Sequence, residues 1–475
     1  MNDYLKEQIL SRMRFDNPWW VNGMIQDDYR GMQPRLYLDS FYRLLCEPDI
    51  RRSVILMGPR RVGKTVMLFH TIQRLFNDGV NPQKVVYLSI DTPIYNNRGL
   101  EELFAFSREI LQDNNANGYY VFFDEIQYLK DWEIHLKTLT DSYRQSRFIA
   151  SGSAAAALKV KSIESGAGRF SDFMLPPLTF EEYIHLLHFD NLIRPKTITW
   201  KGREQSVFDS IDIDVLNQHF IDYINYGGYP EITLSQAMRK NPGQFIRSDI
   251  VDKVLLRDLP SLYGIQDIQE LNRLFVHIAY RSGSQFSYES LSKESNIKKE
   301  TLKKYLTYLE SAFLVKIVHK IDVCAKKMQR VSAFKIYLTN PALRCALFSP
   351  LKEGDETLGG MVETAIFAQW FQREYELFYA NWKVGKKEGE VDIVRLDDIK
   401  LKPQWLVEIK WSDRYLSKPG DLNSLEDFMS KNEITEAIVT SKSVSGVVEY
   451  KEKELLFMPS ALYCYLVGHR TITKV

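Results

Sequence analysis

Ser53-Val-Ile-Leu-Met57-Gly58-Pro59-Arg60-Arg61-Val62-Gly63-Lys64-Thr65 decides how the first third of this 475-residue chain folds. Five apolar or small residues form a buried strand. A turn opened and closed by glycine follows, and Thr65–Phe76 then reads as a helix. The turn matches G-x-x-x-x-G-K-[ST], and its position between a strand and a helix is what the phosphate-cradling mechanism requires. Gly58 and Gly63 let the backbone turn sharply beside a ligand. Exposed N–H groups at a helix N-terminus attract anionic oxygens. Gly58, Pro59, Arg60, Arg61, Val62, Gly63, Lys64 and Thr65 are therefore the expected nucleotide-binding loop. Lys64 reaches the β and γ phosphates, and the Thr65 hydroxyl is a magnesium ligand.

The strand Tyr119–Phe123 ends in Asp124-Glu125, sixty residues beyond Lys64. Two acids at the C-terminal edge of the same sheet suit ATP hydrolysis. Asp124 is expected to hold magnesium, and Glu125 to polarise the attacking water. The next strand ends Ala150-Ser151-Gly-Ser153, so a hydroxyl there can contact the γ-phosphate or the water. Ser151 and Ser153 both qualify, and Ser153 is taken as the candidate. Arg169, in Gly166-Ala-Gly-Arg-Phe170, is a candidate transition-state cation acting across a subunit boundary, which implies a homo-oligomer. Helices over Gly99–Asp113 and Trp132–Arg144 alternate with strands at Lys84–Ile90 and Arg147–Ala150. That rhythm predicts a parallel sheet with helices on both faces.

Outward from this core, length and composition set the frame. The length predicts roughly three or four domains. The chain is 45% apolar and 26% charged, as folded globular proteins are, which argues against long disorder. Lys plus Arg and Asp plus Glu nearly cancel, at 62 and 61, so net charge names no partner. Four cysteines without Cys-x-x-Cys spacing read as free thiols of a reducing compartment. The N-terminus carries no apolar run, and no stretch approaches the length of a membrane span, so the expectation is a cytoplasmic protein with no membrane partner.

Beyond Pro176-Pro177 the pattern becomes helical through about residue 275, with Thr179 and Glu182 spaced as a capping box. Residues 272–335 read as helix, helix, turn, helix and two short strands, the order of a winged helix-turn-helix. Ser287 caps the helix before the Asn296-Ile297 turn, and Leu302, Tyr305, Leu306 and Leu309 share one face of the next. From Arg281 to Lys335 there are twelve Lys/Arg and five Asp/Glu, a net of +7 against +1 for the chain. Lys298, Lys299, Lys303 and Lys304 crowd the start of the recognition-helix candidate, where DNA phosphates would be met.

Together, the loop Gly58–Thr65, Asp124-Glu125, Ser-Gly-Ser, Gly-Arg-Phe and Leu178-Thr-Phe-Glu-Glu resemble the AAA-superfamily ATPases common in bacteria and archaea. The Asn17-Pro-Trp-Trp20 segment, Gly227-Gly-Tyr-Pro-Glu231 and Arg257-Asp-Leu259 are similar too. That resemblance implies ATP and magnesium as cofactors and an ATPase followed by a C-terminal region. In that region, Glu363 on a helix, Asp392 on a strand and Glu408-Ile-Lys410 on the next resemble the PD-(D/E)xK nuclease core, with Val391 where the pattern has proline. Strand periodicity puts Glu408 and Lys410 on one face. Asp392 and Glu408 could then share magnesium while Lys410 orients water or offsets phosphate charge.

The expected architecture is α/β: a P-loop AAA-type ATPase domain at 1–178, a helical lid at 179–271, a winged helix-turn-helix at 272–340 and a restriction-endonuclease-like domain at 341–475. The expected function is ATP hydrolysis acting on nucleic acid, with DNA as partner. The alternative is an ATP-driven switch or scaffold whose nuclease-like domain is inactive and binds a protein or DNA. A small-molecule kinase is disfavoured, because Glu125 suits water activation and no separate acceptor motif accompanies it.

Overall fold

The structure, a computed structural model, describes residues 3–152, 168–326, 333–370, 376–385 and 387–473. The chain folds as two compact units, Met1–Pro176 (with Val475) and Pro177–Lys474.

The first unit is built on five parallel strands: β1 (Ser53–Met57), β2 (Val85–Ser89), β3 (Tyr120–Asp124), β4 (Arg147–Gly152) and β5 (Phe170–Met174). They lie in the order β2-β3-β4-β1-β5, and every pairing is parallel. All five residues of β1 are buried, as expected of a strand covered on both faces. Helices α1 (Asp3–Asp16), α2 (Lys64–Asn77), α3 (Leu100–Ile110) and α4 (Trp132–Ser142) surround the sheet. Ile9 and Met13 of α1 share one core with Leu103, Phe104, Phe123 and Leu136.

Asn17-Pro-Trp-Trp20 gains a physical role here. β2 is an edge strand, and an exposed edge presents unpaired backbone groups. Asn17 pairs with it as a strand would. Its Nδ2 donates to Tyr87 O at 2.9 Å, and its Oδ1 accepts from Tyr87 N at 2.6 Å. The indole nitrogens of Trp19 and Trp20 both donate to Val85 O, at 3.0 and 2.8 Å.

The second unit contains α5 (Phe180–Leu186), whose capping box between Thr179 and Glu182 is formed. The region expected to be wholly helical instead carries an antiparallel hairpin, β6 (Ile193–Trp200) with β7 (Arg203–Ser210). Its turn is Lys201-Gly202, both at positive φ, the geometry that matches strand twist in a two-residue hairpin. Phe208 of the hairpin packs edge-on against Tyr465.

After α6 (Ile213–Tyr226) come α7 (Ile268–Tyr280), β8 (Gln285–Phe286), α8 (Tyr288–Ser295), α9 (Lys299–Ser311), β9 (Val315–Ile321) and β10 (Phe334–Leu338). Ser287 caps α8, and Asn296 ends it in the left-handed conformation. Then follow α10 (Leu358–Ala368), β11 (Leu377–Val384), β12 (Lys387–Leu396), β13 (Pro403–Glu408), α11 (Asn423–Lys431), β14 (Glu436–Ser441), β15 (Gly446–Tyr450), β16 (Lys453–Pro459) and α12 (Ser460–Ile472).

The expected boundary at 340/341 does not divide the sheets. β9 pairs in parallel with β11, so one nine-stranded sheet runs β15-β16-β14-β13-β12-β11-β9-β10-β8. That sheet is coiled. Lys335 on β10 reaches Glu390 on β12, three strand spacings away and about 14 Å in a flat sheet. The Tyr379 hydroxyl likewise donates to Gln285 Oε1, at 3.0 Å, across an equal number of strands. Side chains standing perpendicular to a flat sheet could not close such gaps. All four cysteines are free thiols, and no helix among the described residues is long and apolar enough to cross a membrane.

Asn17 is 1% exposed, so Asn17→Ala would orphan two backbone groups of Tyr87 in a dry interior. At roughly 1–3 kcal/mol for each unsatisfied group, the first unit should unfold at clearly lower denaturant concentration. Equilibrium unfolding followed by tryptophan fluorescence checks this, and an unchanged midpoint would show that Asn17 does not protect the edge.

Candidate functional site

The glycine at the start of the loop is dictated by close approach. A Cβ on Gly58 would lie 2.2 Å from Leu175 O, where the chain leaves β5. Gly63 caps α2 at φ 92°, a left-handed conformation that other residues adopt only with strain. Lys64 is 6% exposed and donates to Gly58 O at 3.0 Å and Pro59 O at 2.8 Å. Burial lowers its pKa, while the charges of Glu125 and Asp124 oppose that shift. Arg35, which sequence reasoning missed, is 5% exposed and donates to Val62 O at 2.5 Å and Pro176 O at 3.1 Å. It staples the loop to the segment after β5.

Asp124 is the hub. Its Oδ2 accepts from the Thr65 hydroxyl at 2.7 Å and from the Tyr87 hydroxyl at 2.8 Å. Its Oδ1 accepts from Ser151 Oγ and, at 3.1 Å, from Glu125 N. The expected metal ligands Thr65 and Asp124 are thus in direct contact, and a hydroxyl beside a carboxylate is the hard oxygen set that magnesium takes. Glu125 stands at φ 53° and ψ 45°. A glutamate held left-handed stores strain of about 1–3 kcal/mol, as catalytic positions often do. Its carboxylate accepts from Gln127 Nε2. Burial, then the Asp124 charge, raise the Tyr87 pKa well above the usual tyrosine value, so Tyr87 remains a neutral donor.

Ser153 lies outside the described residues. Ser151, the other hydroxyl of that segment, orients Asp124 instead. Arg169 sits at the opposite edge of the sheet from the loop. Its carbonyl accepts from Ser53 N at the start of β1, and its guanidinium pairs with Asp141 at 2.8 Å. It lines a cavity of about 250 Å³ with Arg51, Arg52, Arg144 and Arg147. Any contact between Arg169 and ATP phosphates therefore requires a second copy of the chain.

In the second unit, Ile393 on β12 pairs with Val407 on β13, which sets Asp392 opposite Glu408 on one face. Lys410 Nζ lies 2.6 Å from Glu408 Oε1 and 3.8 Å from Asp392 Oδ2. Asp392 Oδ2 also accepts from Ile409 N at 2.8 Å. Glu363 on α10 joins through a residue that the sequence alone did not single out. Lys335 Nζ lies 2.9 Å from Glu363, 2.7 Å from Glu390 and 3.7 Å from Asp392 Oδ1. The four expected residues are thus brought together, with Lys335, Glu390 and Tyr337 added. Glu363, Asp392, Lys410 and Trp411 line an open cleft of about 420 Å³.

The electrostatics are those of buried, coupled charges. Burial works against the Lys335 charge, but Glu363, Asp392 and Glu390 outweigh it and raise its pKa. Lys410 is raised by Glu408 and Asp392 in the same way. Burial and then Asp392 raise the Glu408 pKa. Burial raises that of Glu363, against the pull of Lys335. Glu408 Oε2 is buried with no hydrogen-bond partner. A bare buried carboxylate oxygen is costly unless a proton or a cation meets it. Among the described residues no group of three or more His, Cys, Asp or Glu is preassembled around a metal position. Asp392 and Glu408 are nevertheless adjacent carboxylates, so they fit one divalent ion at Glu408 Oε2.

The lysines expected to meet DNA are partly committed. Lys299 pairs with Glu289, and Lys303 with Glu300 at 2.9 Å, while Lys298 and Lys304 stay exposed. Lys335, counted in the local charge excess, spends its charge inside the acid cluster.

Comparison with known proteins agrees with the first unit's geometry. Residues 50–184 match the family described as "AAA domain", and residues 217–354 match a domain of unknown function, DUF8612. The first unit is therefore an AAA-type P-loop domain, with nucleotide binding as its family property. An uncharacterized protein of Methanocaldococcus jannaschii is 26% identical over 350 residues, covering 72% of this chain and 71% of that one. An uncharacterized protein of Haemophilus influenzae is 23% identical over 348 residues, covering 72% and 78%. Among solved structures, the Walker-type ATPase paby2304 of Pyrococcus abyssi superposes with a TM-score of 0.36 at 14% identity, covering 65% of this chain and 94% of that one. The Aeropyrum pernix ORC2 protein gives 0.33 at 15%, covering 66% and 93%.

Tyr87 touches Asp124 and not the loop, so it is a positioning residue. Tyr87→Phe should lower ATP turnover roughly 10–100-fold, as loss of an outer-shell partner does at metal sites. Nucleotide affinity without magnesium should stay unchanged. Turnover and metal-free binding measured side by side check this, and a loss of both would point to a folding defect instead.

Proposed function

We propose that this chain is a magnesium-dependent ATPase that acts on nucleic acid. The contact between Thr65 and Asp124 carries the first half. Bound magnesium would supply charge neutralisation at the β and γ phosphates, with Thr65 and Asp124 as its protein ligands. Lys64 holds phosphate oxygens, the N–H groups of Gly58–Gly63 cradle them, and Glu125 orients water. Lys64→Ala should abolish hydrolysis and weaken ATP binding, because the point charge on the phosphates is lost. Glu125→Gln should keep binding and lose turnover, because shape is retained and the base is not. Normal hydrolysis by Lys64→Ala protein would overturn the reading.

The second half rests on Asp392 opposite Glu408 beside Lys410. Two carboxylates and an ammonium at one open cleft support metal-assisted phosphodiester hydrolysis in a PD-(D/E)xK-like fold. A bound divalent ion there would act as Lewis acid and water activator. Asp392 and Glu408 would hold it, and Lys410 would stabilise charge on the scissile phosphate. A winged helix-turn-helix formed by α7–α9 with β9 and β10, presenting Lys298 and Lys304, supports DNA as the nucleic acid. Arg169 at a subunit boundary, in a cytoplasmic homo-oligomer, completes the proposal.

Asp392→Asn should abolish DNA cleavage in manganese buffer and leave ATP turnover intact, since the two chemistries use different residues. If wild-type protein binds DNA but cuts neither DNA nor RNA, the C-terminal cleft belongs to a binding module driven by the ATPase.

A further inference from the structure

Lys335 is a buried cation supplied to the acid cluster by a strand outside it. It stands on β10, where all five positions are buried, and it is itself 3% exposed. Its Nζ has three carboxylate oxygens, from Glu390, Glu363 and Asp392, at 2.7, 2.9 and 3.7 Å. The Tyr337 hydroxyl donates to the same Glu363 oxygen, and Asn381 Nδ2 holds the other Glu390 oxygen at 3.0 Å. Three hard oxygens around one point form a cation site. The ammonium distances exceed the usual magnesium–oxygen distance, about 2.0–2.1 Å, by little more than side-chain adjustment covers for the nearer two.

We propose that the Lys335 ammonium holds the place of a second divalent cation among Glu363, Glu390 and Asp392, so that the cluster admits a single ion, at Glu408. This rests on the reading above that Asp392 and Glu408 hold one ion.

Charge counting supports the limit. Glu363, Glu390, Asp392 and Glu408 set against Lys335 and Lys410 leave a formal −2. Burial makes an unbalanced charge costly, and one divalent ion at the partnerless Glu408 Oε2 restores neutrality. A second would carry the cluster to +2. Without Lys335 the cluster stands at −3 and has both the charge and the oxygens for another ion. The lysine is set in place by backbone, because Lys335 pairs with Val318 across β9–β10, and β9 pairs with β11 beside the acids.

The test is titration of nucleotide-free, full-length protein with Mn2+, counting bound ions by calorimetry. Wild type should bind one ion, lost in Glu408→Gln. Lys335→Met should bind two. Because removing a buried countercharge can unfold the chain, Lys335→Met is also paired with Glu363→Gln, which restores the wild-type net charge and keeps Glu390 and Asp392 as ligands. That double variant should likewise gain an ion, and Mn2+ should raise its melting temperature more than that of wild type. If the folded double variant binds no more ions than wild type, or if wild type itself binds two, Lys335 is not holding a subsite. If wild type binds none while the Lys335 variants gain one, the lysine assignment stands and the one-ion reading of Asp392 and Glu408 falls.

Discussion

The first unit is organised around one buried carboxylate. Asp124 accepts hydrogen bonds from Thr65, Tyr87 and Ser151, which come from the helix after β1, from β2 and from β4, while Asp124 itself ends β3. Four parallel strands are therefore locked in register at their C-terminal edge by a single side chain. Tyr87 extends the lock outward, because Asn17 pairs with its backbone and closes the sheet edge. The N-terminal segment is thus two hydrogen-bonded steps from the magnesium ligand. What looks like a cap on an edge strand also fixes the orientation of a carboxylate on which hydrolysis depends.

The two acid sites solve the same burial problem differently. Around Asp124 the donors are hydroxyls and an amide, all neutral, so the carboxylate is oriented while its negative field survives for a cation. Around Asp392 the partners are ammonium groups, which cancel the field as they orient it. A site of the first kind should hold magnesium whenever nucleotide brings it. In the second kind, the lysines decide how much cation the acids still demand. The coiled sheet makes this possible, since only its curvature lets a side chain from β10 enter the concave face where β12 and β13 carry their acids.

How much of this was legible follows from how local each signal is. The loop Gly58–Thr65 lies in one continuous stretch whose spacing is itself the mechanism, and the parallel sheet follows from the alternation around it. Asp124 and Glu125 were readable because a strand ending in acids must present them at the sheet edge. Arg35, Tyr87 and Asn17 were not, because each acts through a backbone carbonyl or a hydroxyl from a separate segment, and nothing in their neighbours marks them. Ser151 and Ser153 stand two residues apart, and sequence alone offered no way to know that Ser151 turns toward Asp124. The β6–β7 hairpin did carry a signal, Thr197-Ile-Thr-Trp200 followed by Lys201-Gly202, but the polar residues of both strands masked the alternation. Lys335 was the least readable. In sequence it belongs to a basic stretch that suggested a DNA-facing surface, and only the pairing of β9 with β11 turns it inward.

That inversion bears on how the basic stretch should be weighed. Local net charge counts every lysine as though it faced water, yet of the lysines singled out, Lys335 neutralises a buried acid cluster while Lys299 and Lys303 pair with Glu289 and Glu300. Exposed ion pairs of this type contribute little and dissolve readily when a polyanion competes, so Lys299 and Lys303 remain available to phosphate. Lys335 does not, because leaving its site would strip Glu363, Glu390 and Asp392 of a countercharge where water cannot replace it. The residues that set affinity for nucleic acid and the residue that sets the cation content of the cleft are therefore separable by burial alone, although the sequence presents them as one run of positive charge.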